Sequence, residues 1–128
     1  MRNLRPLPFS IVIGLTVVAS TPAWAFSVKF SWAGIPACSS VSPAFTIMAA
    51  PRGTVALAFR MRDEDAPDFQ HGGSSVAYAG AGGVPQGAVH YTGPCPPSGS
   101  SHRYVWTVDA LGAEGKVLGS ARATGKFP

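Results

Sequence analysis

Hydrophobic and polar positions alternate along two segments of the chain, residues 54–61 and 104–111. A period of about two residues places successive side chains on opposite faces and is typical of a half-buried β-strand. We therefore predict two strands here, each with one face in the core. The side chains expected on the core faces are Val55, Leu57, Phe59 and Met61 in the first strand, and Tyr104, Trp106 and Val108 in the second.

Five shorter segments show a weaker strand pattern, and glycine- and proline-rich turns separate them. The predicted strands are 26–32, 44–48, 75–78, 88–91 and 120–127, and the turns are 51–53, 80–87 and 93–99. No segment of ten or more residues has a convincing helical period, and residues 110–115 form at most a marginal helical turn. The pattern predicts an all-β sandwich or a closely related β fold with little or no helix.

The first 25 residues have the three parts of a secretory signal. Arg2 and Arg5 make the start positive, residues 9–19 are apolar, and Ala23-Trp24-Ala25 offers a small-x-small cleavage site. The apolar run is about half the roughly 20 residues that a membrane span requires, which argues against an anchor. We predict cleavage after Ala25, a secreted or periplasmic protein, and one domain formed by residues 26–128 with no membrane span.

The modest charge of the chain and the motifs that it lacks argue against several classes of function. The whole chain has a formal charge of +4, but removal of the two signal arginines from its ten basic residues leaves eight against six acidic residues, or +2. The sequence contains no run of basic residues of the kind that binds nucleic acid. It also lacks a nucleotide loop, a nucleophile elbow and an H-E-x-x-H motif. We therefore expect neither a nucleic-acid partner nor a conventional enzyme, and no cofactor.

The predicted domain contains two cysteines, Cys38 and Cys95. An even count in an oxidising compartment favours a disulfide, which would stabilise so small a fold by about 2–4 kcal/mol. Two free buried thiols are the alternative. Neither cysteine has a second cysteine or a histidine at ligand spacing, so no metal site is predicted.

Polar residues gather in two segments at the ends of predicted strands, where rigid sheets commonly carry binding sites. The first comprises residues 63–65 and His71, and the second comprises residues 93–99 and His102. Histidines can donate to a phosphate or a carboxylate, and carboxylates can orient the imidazole rings. The same aspartates could instead be turn formers, and the histidines solvated surface residues. Composition alone therefore indicates a pocket without fixing its ligand.

Four short motifs occur in one order, followed by a related C-terminal strand. They are S-P-A-F at 42–45, D-E-D-A-P at 63–67, G-P-C-P-P at 93–97, H-R-Y-V-W at 102–106, and A-R-A-T-G-K-F at 121–127. This series resembles the phosphatidylethanolamine-binding protein family, also called Raf-kinase-inhibitor-like, and especially its bacterial YbhB/YbcL branch. The resemblance covers about residues 40–128. It implies a Greek-key β-sandwich with a small pocket for phosphate-like anions.

Carried over position by position, the resemblance implies a set of ligand-binding residues. They are Asp63, Asp65, His71, Gly93, Pro94, Pro97, His102 and Tyr104. Exported bacterial members have cysteines at the positions of Cys38 and Cys95, which supports the pairing of these two. The chain departs from the family pattern at Glu64, which replaces a proline and adds a carboxylate, and after His71, where Gly-Gly-Ser-Ser follows.

We thus expect a non-enzymatic binding protein for a small phosphorylated or carboxylated ligand, such as a phospholipid headgroup. One alternative is an inhibitor of a protease or another enzyme, which would act through its surface, as some family members do. Another is a hydrolase with paired carboxylates and His71 or His102 as the acid–base group. No nucleophile or metal set accompanies those carboxylates in the sequence.

Overall fold

The computed structural model describes Val17 and residues 25–128, and within these residues seven β-strands form two antiparallel sheets. The predicted signal therefore lies outside the described residues, apart from Val17 and Ala25. The strands are β1 (Ser27–Phe30), β2 (Phe45–Met48), β3 (Ala56–Asp63), β4 (Ser75–Ala77), β5 (Gly83–Val84), β6 (His102–Leu111) and β7 (Val117–Phe127). The predicted all-β fold is confirmed.

Three strands form one sheet in the order β1-β2-β5, and four form the other in the order β4-β3-β6-β7. The chain crosses from one sheet to the other after β2, after β4 and after β5, so the strands do not follow one another as a simple meander. The β3–β6 pair joins the middle of the larger sheet over eight residue pairs, from Ala56↔Leu111 to Asp63↔Tyr104. This pairing sets Asp63 beside the start of β6.

The core lies between the two sheets, and aromatic rings from both fill it. Phe45 of β2 lies with its ring centroid 4.6 Å from that of Phe59 and 5.1 Å from that of Trp106, which belong to the facing sheet. Such tilted and edge-to-face pairs add roughly 0.5–1.5 kcal/mol each to the free energy of burial. The core faces predicted from alternation are confirmed for Leu57, Phe59, Met61, Tyr104, Trp106 and Val108, all of which are buried.

Val55 was predicted to share the core face with Leu57, and that prediction is wrong, because its side chain is 53% exposed. The strand begins one residue later, at Ala56. Before it, a turn is closed by the N–H and the hydroxyl of Thr54, which both donate to the carbonyl oxygen of Pro51. The regular alternation of the strand therefore does not extend back to residue 55.

The predicted strand 88–91 is also wrong: the segment has no strand pairing. Serine hydroxyls take the place of a neighbouring strand, since the N–H of Val89 donates to Ser42 Oγ and that of His90 to Ser74 Oγ. The short strand β5 lies instead in the predicted turn 80–87, where it pairs with Phe45 and Thr46. Side-chain acceptors that arrive from distant residues cannot be read from an alternating pattern.

The remaining differences lie at strand ends. β6 begins two residues before the predicted 104–111 segment, at His102, and β7 begins three residues before the predicted 120–127 segment, at Val117. The marginal helical turn is a single 3₁₀ turn, Ala113–Gly115, which links these two strands. The earlier start of β6 brings His102 into the sheet opposite Phe127, and so fixes its backbone.

Cys38 and Cys95 form the predicted disulfide, with their Cα atoms 4.4 Å apart. The N–H of Cys38 also donates to the carbonyl oxygen of Pro94 at 2.8 Å, so the two loops are joined by main chain as well as by sulfur. A disulfide is consistent with an oxidising compartment. Among the described residues, no helix is long and apolar enough to cross a bilayer.

The different burial of Leu57 and Val55 gives a test of the register of β3, that is, of which residues face the core. Leu57→Ala should lower the free energy of unfolding by about 2–5 kcal/mol, because it removes fully buried methyl groups and leaves a cavity. Val55→Ala is the matched control, with an expected change within about 0.5 kcal/mol, as for exposed positions generally. Urea unfolding followed by tryptophan fluorescence measures both. Equal losses in the two variants would contradict the register.

Candidate functional site

A cleft of about 540 Å³ opens where β3 ends and β6 begins. Most of its walls are apolar or main-chain groups, and its titratable side chains come from β3, from β6 and from the loop that contains His71. The cleft is lined by Cys38, Ser40, Asp63, Ala66, Phe69, His71, Thr92, Gly93, Cys95, Pro97, His102 and Tyr104. The structure thus brings together six of the eight ligand-binding residues that the sequence predicted, all except Asp65 and Pro94.

Asp63, the last residue of β3, anchors one side of the cleft. Its Oδ1 accepts hydrogen bonds from the N–H groups of Asp65 (2.8 Å) and Ala66 (3.1 Å), and its Oδ2 lies 2.6 Å from Nδ1 of His102. Burial, at 3% exposure, acts to raise the pKa of this carboxyl. The hydrogen bond and charge of His102 and the two N–H groups outweigh that effect and hold the pKa below the usual 3.8. Asp63 is therefore a carboxylate that fixes both the following loop and the imidazole.

His71 faces the cleft from the opposite loop and is also buried, at 4% exposure. Its Nδ1 lies 2.7 Å from the carbonyl oxygen of Thr92, and the N–H of Thr92 donates back to the carbonyl oxygen of His71 at 2.8 Å. A carbonyl oxygen can only accept, so Nδ1 carries the hydrogen. In both histidines Nδ1 is thus held by a protein oxygen, and Nε2 is the ring atom left for a ligand.

Tyr104 lies between the two imidazoles at the base of the site. Its ring centroid is 5.5 Å from that of His71 and 6.2 Å from that of His102. Its hydroxyl is buried and has no hydrogen-bond partner among the described residues. Burial, with the nearby charge of Asp63, raises the pKa of Tyr104 to about 12. The phenol is therefore neutral at physiological pH and keeps a hydrogen to donate.

The disulfide and the loop that contains Cys95 form the third wall. Gly93 packs so closely on residue 39 that a Cβ there would overlap the carbonyl oxygen of Ser39. Pro94 is buried behind the wall, where its carbonyl oxygen accepts from Cys38, and it does not line the cleft. Three of the five residues 93–97 are prolines without an N–H. The loop therefore offers shape and rigidity more than hydrogen-bond donors.

Asp65 is placed outside the cleft. Its Oδ2 accepts a hydrogen bond from the N–H of Arg103 at 2.7 Å, and the residue lines a separate surface depression with Glu64. The carboxylate added by Glu64 likewise does not enter the cleft. Asp63 is therefore the one carboxylate among the residues that line it.

Several lining residues escaped the sequence analysis. Phe69 is 54% exposed at the rim, with its ring centroid 4.6 Å from that of His71. An exposed aromatic residue inside a polar loop was a signal that could have identified it. Thr92 gave no such signal, because it acts on His71 through its main chain, which any residue type provides.

Ligand atoms of Asp63, Asp65 and His102 lie within 4.8 Å of one another, a spacing that could hold a metal ion. Hydrogen bonds already engage these groups: the oxygens of Asp63 accept from two N–H groups and from His102, and Asp65 accepts from Arg103. The three side chains are thus accounted for as a hydrogen-bond network that ties β3 to β6.

Comparison with known proteins adds a family and a fold. The sequence model of the family described as phosphatidylethanolamine-binding protein matches residues 70–127, which include His71, the 93–97 loop and all of β6. Comparison with curated protein sequences gives no match.

Two solved structures are similar in fold. One is a phosphatidylethanolamine-binding protein homologue, CT736, from Chlamydia trachomatis, with a TM-score of 0.60, 20% identity, and coverage of 81% of this chain and 97% of that chain. The other is YbcL from E. coli, described as a member of the mammalian PEBP family, with a TM-score of 0.55, 20% identity, and coverage of 80% and 97%. At this identity the likeness concerns the fold.

The lowered pKa of Asp63 predicts a specific dependence of stability on pH. A carboxyl whose pKa is lower in the folded than in the unfolded state stabilises the fold above the unfolded value, near 3.8, and that contribution is lost as pH falls through the folded value. Asp63→Asn should cost about 1–3 kcal/mol at neutral pH. The difference from the natural protein should shrink as the pH is lowered below about 3.8.

Chemical unfolding at a series of pH values measures this effect. Asp68→Asn, which changes an exposed carboxylate of the same loop, is the control and should leave stability at neutral pH nearly unchanged. An Asp63→Asn difference that stays constant down to pH values well under 3.8 would contradict the assignment.

Proposed function

Because this chain belongs to the phosphatidylethanolamine-binding protein family, we propose that it is an exported, non-enzymatic binding protein whose cleft receives a small phosphorylated or carboxylated ligand. Family membership supports a binding protein in general. The anionic ligand, the export and the absence of catalysis are specific to the proposal, and each is supported by different residues.

The observation that carries the proposal is the pair of imidazoles in one cleft. His71 and His102 lie on either side of Tyr104, and each has its Nδ1 engaged by a protein oxygen. When protonated, each ring has one N–H left, at Nε2, and imidazolium groups are strong donors to phosphate and carboxylate oxygens. Tyr104 adds a neutral hydroxyl donor. Three donors on one cleft suit an anion with several oxygens.

The single carboxylate of the cleft does not work against an anion. Asp63 is buried behind His102, and three hydrogen bonds engage its oxygens. With protonated His102 it forms a neutral pair, so a protonated His71 leaves the cleft positive. Asp63 thus orients the donor, as a carboxylate commonly does for an imidazole.

The remaining surface of the cleft suits an organic group attached to the anion. Ala66, Phe69, Pro97 and the disulfide supply apolar walls beside the imidazoles. Ligand sites typically combine such walls with a few placed polar groups. A phosphate monoester such as phosphoethanolamine therefore fits better than inorganic phosphate.

A binding role is better supported than hydrolysis. A hydrolase with paired carboxylates needs both of them at the substrate, one as acid and one as base or nucleophile. Asp65 instead accepts from the main chain of Arg103 outside the cleft, and Asp63 is saturated by hydrogen bonds. Among the residues that line the cleft, no second carboxylate is present to pair with Asp63 in such a reaction.

NMR titration of the ¹⁵N-labelled, oxidised protein with phosphoethanolamine tests the pocket. Saturable shifts should be confined to residues 63–71 and 92–104, which contain most of the residues that line the cleft. His71→Gln and His102→Gln should each weaken binding by about tenfold, since each removes one charge-assisted hydrogen bond.

His90→Gln is the control, because His90 is exposed and does not line the cleft. Its affinity should equal that of the unchanged protein. Absence of shifts at millimolar ligand, or an equal loss in all three glutamine variants, would refute the anion pocket.

The position of β1, the first strand among the described residues, supports the export part of the proposal. Phe26 packs against the core and β1 starts at Ser27, so cleavage after the exposed Ala25 would leave the sheet complete. We expect protein expressed with its first 25 residues in a bacterial host to be recovered from the export compartment with Phe26 as its first residue, as read by mass spectrometry. Ala25→Arg should retain the precursor. Recovery of the full-length chain in the cytoplasm would contradict export.

A further inference from the structure

The outer face of the four-stranded sheet, which points away from the core, carries a concentration of basic side chains. Alternation places the core-facing residues of β3 at 57, 59, 61 and 63, so Arg60 and Arg62 point outward. The register with β6 and β7 places three further basic side chains on the same face. Five of the eight basic residues of the predicted domain are therefore on one face: Arg60, Arg62, Arg103, Arg122 and Lys126.

The central three arginines form a compact group. Arg60 and Arg122 lie at the same level of the sheet, on either side of Thr107, and Arg62 lies two residues further along β3. Strand spacings place the Cα atoms of Arg60 and Arg122 roughly 10 Å apart, and those of Arg60 and Arg62 roughly 7 Å apart. A groove of about 380 Å³ runs among them. Thr107, Phe69 and Gln70 also line it. We call the surface formed by Arg60, Arg62 and Arg122 the arginine face.

Acidic groups neutralise the arginine face only in part. Arg60 lies 3.7 Å from Asp109, which also accepts from Ser120 Oγ at 2.6 Å. Glu64 and Asp65 line a separate depression with Arg103 and Lys126 at the far end of the sheet. The groove itself is lined by three guanidinium groups and by no carboxylate.

One outward-facing apolar residue of this sheet face is covered by its neighbours. Val105 points outward between Arg62 and Thr124, yet it is only 4% exposed. An outward valine is covered in this way when the apolar stems of long neighbouring side chains rest across it.

We propose that the arginine face binds an acidic polysaccharide, a chain that bears carboxylate, sulfate or phosphate groups between free hydroxyls. Guanidinium groups form paired hydrogen bonds with each of these anions. Positions beside the arginines carry hydroxyl and amide groups that match sugar hydroxyls: Thr107, Thr124 and Gln70. The charges extend over more than one anionic group can cover, which fits a polymer rather than a single small ion.

The composition of the face favours this class over other polyanions. Single-stranded nucleic acid is held by several aromatic side chains that stack on bases, and Phe69 at the edge is the one aromatic side chain that lines the groove. A membrane surface requires an apolar face as well as basic groups. Because Arg60, Arg62 and Arg122 do not line the cleft, the proposal does not depend on the ligand proposed for the cleft.

The test is calorimetric titration of the oxidised protein with a heparin octasaccharide, a probe with carboxylate and sulfate groups. We expect saturable binding that weakens with added salt, and NMR shifts at residues 60–62, 105–107 and 122–124. The double variant Arg62→Ser/Arg122→Ser should lose at least about tenfold in affinity, because it removes two paired contacts.

The control is Arg52→Ser/Lys116→Ser, which removes the same charge from exposed positions in the turns at the opposite end of the sheet. It should change affinity by less than about threefold. Equal losses in the two variants would reduce the effect to net charge and overturn the proposal. Tighter binding of a single-stranded oligonucleotide of equal charge, or of anionic vesicles, would overturn the choice of a polysaccharide. His102→Gln should leave octasaccharide binding unchanged. This variant therefore distinguishes a failure of the polysaccharide proposal from a failure of the ligand proposed for the cleft.

Discussion

The site depends on the hydrogen bonds that the buried carboxylate of Asp63 accepts. It belongs to the core-facing row of β3, so its burial follows from the same alternation that buries Leu57 and Phe59. A carboxylate at such a position is costly unless its oxygens are satisfied. Two N–H groups and His102 satisfy them, and this requirement turns the chain sharply after β3 and fixes the imidazole of the neighbouring strand. The stability of the sheet end and the orientation of the ligand donor thus have one cause.

The opposite wall is fixed by main-chain contacts instead of by charge. His71 is oriented by the carbonyl oxygen of Thr92, and the loops at Cys38 and Cys95 are joined by the disulfide and by the hydrogen bond from Cys38 to Pro94. The prolines of residues 93–97 limit the freedom of this loop before the ligand arrives. One side of the cleft therefore depends on the ionisation of Asp63, whereas the other is held by the disulfide and by main-chain hydrogen bonds.

The parts of the structure that the sequence could predict are those set by local pattern. Alternation in β3 and β6 identified their core faces because successive side chains of a strand point to opposite faces of the sheet. It failed at residues 88–91, where the hydroxyls of Ser42 and Ser74 serve as distant acceptors. For the site, the motifs predicted Asp63, His71, His102 and Tyr104 as cleft residues. They could not show that Asp65 turns outward, because its acceptor contact with Arg103 depends on where β6 begins.

The arginine face is a second feature that local sequence patterns could not predict. Along the chain its basic residues are separated by strands and turns, so the sequence contains no basic run and indicated no polyanion surface. The antiparallel register of β3, β6 and β7 is what places Arg60, Arg62 and Arg122 on one side. Because most core-facing positions of these strands are apolar, the basic residues of the strands lie on the outer face. A modest net charge can therefore coexist with a strongly basic surface, and only the pairing of strands determines where that surface lies.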